Sequence, residues 1–177
     1  MANNIYPKYK RALLEYTTAS NMFDITAGTI KVALISTTNG SPTSGDVTSP
    51  PSYSSTDEYW SAIHANLLSD SDVSPATAGA ITDGVIAVET LTNVTVNDSG
   101  IVDADNVVFS SVAAFDENTG QSDGQCDAVI IYRDDGSAAG TSRLIAWLDN
   151  NAITGLPVTP NGTDINLNWN ASGIFQL

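Results

Sequence analysis

The chain has 177 residues, and six basic against twenty acidic side chains give it a formal net charge of -14 and a pI near 4.1. That length suits one packed core. That charge argues against a partner with a phosphate backbone, where basic side chains supply most of the affinity, so nucleic acid is excluded as a first expectation. Hydrophobic residues make up 42% and charged residues only 15%, at a mean hydropathy of -0.02. The polar surface must then come mainly from Ser, Thr, Asn and Gly, a composition more usual in β proteins than in helical ones.

In chain order the first predicted element is a short helix. Pro7 suits a first turn, residues 8–20 hold no Gly or Pro, and Tyr9, Leu13 and Tyr16 share one face. Residues 29–36 follow as a strand, rich in β-branched side chains and alternating Ile30, Val32 and Leu34 against Lys31, Ala33 and Ile35. Residues 39–54 read as an excursion loop. A second short helix is predicted over 56–68, because Ser55 and Glu58 have the spacing of a capping box and Trp60, Ile63 and Leu67 follow at helical intervals, with Trp60 facing the core.

A polar connection over 69–84 leads to six further strand-like runs, at 85–96, 106–112, 127–133, 143–148, 164–169 and 174–177. Residues 97–100, 134–136, 154–157 and 160–162 between them have turn chemistry. Seven strand candidates separated by turns predict a mainly β domain, an antiparallel sandwich or jelly roll carrying two short helices, one of them N-terminal. The organisation expected is an N-terminal helical arm over 1–20 and one β-sandwich domain over 21–177, with an excursion at about 39–84.

Residues able to carry chemistry are few. His64 is the lone histidine and Cys126 the lone cysteine, so a histidine metal site, a thiolate cluster and an internal disulfide are all ruled out within one chain. His64 reads as a surface or cap-side residue rather than a catalytic base. Cys126 precedes a β-branched run and reads as a small buried hydrophobe. Asp116, Asn118, Gly120 and Asp123 place oxygen donors around a glycine as a calcium loop does, but the closing bidentate glutamate is missing, and a solvated acidic hairpin loop explains the same residues. They are a weak calcium candidate, and no cofactor is expected. The Asn-x-Ser/Thr matches at Asn93, Asn97, Asn161 and Asn170 are chance products of the composition. The N-terminus lacks the apolar run of a secretory signal and no stretch reaches a membrane span, so a soluble chain made in the cytosol with no membrane partner is expected.

Lys8, Lys10 and Arg11 are half of all the basic residues. With Glu15 they give residues 1–16 a charge of +2, so the rest of a chain of net -14 carries -16. A helix face solvated by its cations is one account; the other is a basic arm that docks on an acidic neighbour, with Lys8, Lys10 and Arg11 as the docking residues.

Residues 21–34, 103–109, 128–136, 141–149 and 156–162, with the ending at 168–177, resemble in order a family of small virion structural proteins encoded by tailed bacteriophages and prophages. The resemblance covers most of the chain; residues 39–84 are the part that does not match. It implies a non-enzymatic virion component without a catalytic signature. The expected role is a capsid decoration or cement protein on the outer surface of the head, with the major capsid protein as partner and a homo-oligomer, by preference a trimer, as its form. The alternative is a tail, neck or fibre component contacting the host surface through loops near 39–54. A polysaccharide-processing enzyme is a third class, disfavoured because no paired carboxylates can be placed across a cleft from sequence.

Overall fold

The computed structural model describes residues 4–14, 24–37, 52–63, 85–112, 125–136, 139–149, 153 and 155–177. Within them lie ten strands, one α-helix and one short 3-10 turn. β1 (Asn4–Ile5) runs into α1 (Pro7–Leu14), and β2 (Thr29–Ile35) and β3 (Val85–Thr90) follow. Then come β4 (Thr95–Val96), β5 (Ile101–Asp103), β6 (Val107–Phe109), β7 (Ala128–Asp134), β8 (Arg143–Asp149), β9 (Ile165–Leu167) and β10 (Phe175–Gln176). Every pairing is antiparallel. The main sheet has the order β1-β8-β7-β2-β3; β10-β5-β4 form a second sheet and β6-β9 a third. The mainly β, antiparallel class expected from sequence is what the chain adopts.

The three central strands are apolar almost without interruption because both faces of the sheet are covered. Register sets Val32 opposite Ile131 and Leu34 opposite Val129 on one face, and Ala33 opposite Ile130 and Ile35 opposite Ala128 on the other. In an antiparallel sheet with one wet face these two sets would alternate between core and solvent. Here both are buried, so the alternation read along residues 29–36 separates two buried faces rather than inside from outside. Trp147 shares the Ala33–Ile130 face, where Tyr53 meets it edge-on with centroids 6.5 Å apart. Tyr132 lies on the same face, and Trp60 stacks on it at 4.2 Å and 22°.

The outer edge of β8 is closed by two pieces of chain remote in sequence. β1 pairs with Trp147 and Ala146, and the Tyr6 N–H donates to the Ile145 carbonyl at 2.9 Å. Further along the same edge, the Leu144 N–H donates to the Glu58 carbonyl at 3.0 Å and the Trp60 N–H to the Ser142 carbonyl at 2.7 Å. Tyr6 and Tyr9 are fully buried. The N-terminal arm expected over 1–20 is therefore, across its described residues, an edge of the main sheet, and its helix spans Pro7–Leu14; residues 15–20 lie outside the described part.

The second predicted helix is corrected. Through Ile63 the segment is a turn at 55–56, a short extended stretch and a 3-10 turn at Trp60–Ala62, while residues 64–68 lie outside the described part. Its N-cap is Tyr59, without a side-chain cap, and Glu58 does not serve as capping-box acid. The Glu58 carboxylate accepts from Arg143 Nη1 at 2.8 Å instead, a charge-assisted bond stronger than a capping contact. Burial of Trp60, the other half of that reading, holds.

Two strand predictions also resolve differently. The run 85–96 breaks into β3 and β4, and β5 and β1 are strands that periodicity passed over because each is three residues or fewer. The 97–100 turn stands: Asn97 Oδ1 accepts from the N–H groups of Ser99 and Ile101, at 2.9 and 3.0 Å. Gly173 is required near the C-terminus, since at φ +96 a Cβ would run into Ile101 and the Val102 carbonyl.

Candidate docking face

All six cations of the chain fall within the described residues: Lys31 and Arg143 are buried, Arg133 and Lys8 half-buried, and Lys10 and Arg11 exposed. Lys31, Arg133 and Arg143 sit on the central strands β2, β7 and β8. Lys31, 9% exposed, reaches Asp134 at 3.5 Å, and Arg143, 7% exposed, pairs with Glu58 and lies over the Tyr59 ring at 5.0 Å from its centroid. The Arg133 guanidinium is tucked beneath Gly28, where a Cβ would stand 2.8 Å from Nε, and its Nε and Nη1 are buried without a hydrogen-bond partner. Lys31 and Arg143 are thus buried on the central strands, and Arg133 is half-buried. Lys8, Lys10 and Arg11 remain, all on α1, with Lys10 and Arg11 exposed and Lys8 half-buried.

The helix turns its faces according to its spacing. Tyr9 points into the core with Leu13 partly buried beside it. Pro7, Lys10, Arg11 and Leu14 form the outward stripe at i, i+3, i+4 and i+7, and Leu14 is 87% exposed. An apolar side chain so open, next to two cations, gives this stripe both an electrostatic and an apolar contact. The sequence carries a signal for Leu14, which falls off the Tyr9–Leu13 face.

Two tyrosines anchor this region. Burial, reinforced by the negative charges of Asp24, pushes the Tyr9 hydroxyl up to about 12 against the opposing effect of Arg133 and Arg143. Tyr6 is raised further, by burial first and then by Asp57 and Tyr53, and its Oη is buried without a hydrogen-bond partner. A tyrosine with a folded pKa above its unfolded value of about 10 keeps its proton after the unfolded chain has released it. Stability is therefore full below about pH 10 and falls as pH rises from there toward the raised values. Tyr6→Phe is expected to keep or raise stability at pH 7, by up to about 1 kcal/mol, and to flatten the alkaline limb of the unfolding curve. Urea midpoints from pH 7 to 11 check this; a loss above about 1 kcal/mol at pH 7 would show that the hydroxyl is needed.

The remaining candidates gather no second site. Asp116, Asn118 and Asp123 lie outside the described residues, as does His64. Cys126 is fully buried, with its thiol pushed up by burial first and by Asp127 second, as expected for a packed side chain rather than a nucleophile. Among the described residues no three His, Cys, Asp or Glu side chains group as metal ligands, and no helix is long and apolar enough to cross a membrane. No family model matches the chain, and no curated protein matches it in sequence. A cavity of about 270 Å³ lies between β2 and the β6–β9 pair, lined by Leu34, Phe109, Leu156, Val158 and Leu167. At its rim the Asp164 carboxylate accepts from the Ser111 N–H at 2.8 Å and so holds a loop in place. Among the described residues, the outward face of α1 is where exposed cations and an exposed apolar side chain coincide.

Proposed function

We propose that this protein is a non-enzymatic virion structural protein of a tailed bacteriophage, a capsid decoration protein that binds and stabilises the head shell. The observation that carries the reading is the division of charge: the two exposed cations, Lys10 and Arg11, belong to one short helix, on a molecule whose net charge is -14. Such a surface sets the orientation of binding without needing reaction chemistry. The resemblance to phage virion proteins supports it from another side, because its segments take in β6, β7, β8 and β10 and most of β2, strands of the scaffold. We take that scaffold to be an antiparallel sandwich, with the two smaller sheets as the layer over the main one.

In this role α1 seats on an acidic neighbour in the particle, and the acidic body faces solvent, where like charge keeps particles apart. Binding only to the assembled shell shifts the equilibrium toward the closed particle, and small gains repeat over many equivalent sites. Counting copies in purified particles, then challenging particles with and without the protein by heat and osmotic shock, tests the proposal. Hundreds of copies and lower survival without the protein are expected. A few tens of copies would move the protein to the neck or tail, and equal survival would remove the cement role.

A further inference from the structure

The cavity between β2 and the β6–β9 pair has a floor and walls that register builds. Leu34 comes from β2, and Phe109 stands opposite Ile165 across the β6–β9 ladder, with Leu167 two residues further along the same face. Ile153, Leu156 and Val158 close the side. These walls are pinned by backbone bonds. Val158 exchanges two with Cys126, at 2.8 and 2.9 Å, and at the rim the Gly162 N–H donates to the Val112 carbonyl at 2.8 Å and the Val112 N–H to the Thr163 carbonyl at 3.1 Å. A site tied in this way exists before a ligand enters, so binding does not have to order it.

The lining changes character with depth. Leu34, Phe109, Ile153 and Leu167 are buried, Leu156, Val158 and Ile165 are half-buried, and none of these side chains has a polar atom. Thr159, Asn161, Thr163, Asp164 and Asn166 are exposed and make the rim. Asp164 is the one ionisable side chain among the described lining residues. Its Oδ1 accepts from the Ser111 N–H, while Oδ2 has no hydrogen-bond partner among the described residues. The volume of about 270 Å³ exceeds the roughly 150 Å³ of an apolar cavity that takes up benzene, so a single ring with a short chain fits. A lone carboxylate at the mouth, on a molecule of net charge -14, selects against an anionic head and for a cationic one.

We propose that this cavity binds a small amphipathic amine, a single ring or short alkyl chain that lies on Leu34, Phe109 and Leu167 and sets its ammonium group at Asp164. Apolar burial supplies the affinity, and the carboxylate chooses the charge of the head. The site uses neither α1 nor the virion role, so it stands or falls separately from that reading.

Titrating the full chain with 2-phenylethylamine while following its methyl groups by NMR reads the site directly, because six of the lining side chains carry methyls. Saturable shifts confined to those methyls are expected, with a Kd of about 1 mM or tighter for a ligand of this size. The neutral analogue 2-phenylethanol should bind about two- to fivefold more weakly, and the anion phenylacetate at least about tenfold more weakly. Asp164→Asn keeps an oxygen for the Ser111 N–H and should bring the amine to the affinity of the alcohol. Val158→Phe fills the space from a half-buried wall and should remove binding of both; the wild-type ligand series needs no variant to fold. No saturable shift by about 10 mM amine, shifts centred outside the lining, or phenylacetate binding as tightly as the amine would each overturn the proposal. So would an amine affinity unchanged in Asp164→Asn, or undiminished in a folded Val158→Phe.

Discussion

Removing residues 1–14 is expected to abolish cooperative folding, not merely to detach the protein from a partner. The deletion strips β1 from the outer edge of β8, removes the Tyr6 N–H bond to the Ile145 carbonyl, and empties the sites of two fully buried tyrosines. Each large aromatic lost from a core costs about 3–5 kcal/mol, so the pair alone accounts for about 6–10 kcal/mol. That matches the whole stability of an ordinary domain, about 5–15 kcal/mol. The control is Lys10→Glu with Arg11→Glu, in which the helix keeps its buried face and the urea midpoint should stay near wild type. A truncated chain that unfolds at the wild-type midpoint would place this segment outside the fold.

Trp60→Ala is expected to cost about 3–5 kcal/mol and to release the strap that crosses β8. The indole is fully buried against Tyr132, and its backbone N–H is also part of the strap's hold on Ser142. Beside it the Glu58–Arg143 pair ties the same segment, but the Glu58 side chain is 32% exposed, so Glu58→Gln should cost less than the tryptophan. Thermal or urea unfolding separates the two variants, and near-ultraviolet circular dichroism follows the loss of the Trp60–Tyr132 stack. An equal cost for the two, or a Trp60→Ala loss below about 1 kcal/mol, would mean that charge rather than packing holds the strap.

The candidate docking face is only half legible in the sequence. Lys8, Lys10 and Arg11 stood out as a basic cluster, and their helix was placed correctly from Pro7 onward. Burial of Tyr6 and Tyr9 against the main sheet was not legible, because nothing local distinguishes a tyrosine that packs on a distant strand from one that faces water. The capping-box reading of Ser55 and Glu58 failed for the same reason: its competitor, Arg143, lies 85 positions away in the chain.

Local chemistry determined the β class, the central strands over 29–35, 128–134 and 143–149, the turn at 97–100 and the absence of a cysteine or histidine framework. Those features depend on β-branched runs, side-chain-to-backbone bonds within a few residues, and counts, all of which act at short range. Tertiary structure alone decided that both faces of the main sheet are covered, that two remote segments share the β8 edge, and that Lys31 and Arg143 are buried. Each of these depends on which surfaces meet after the chain has closed large loops, and burial and ion pairing act between neighbours in space regardless of their distance in sequence.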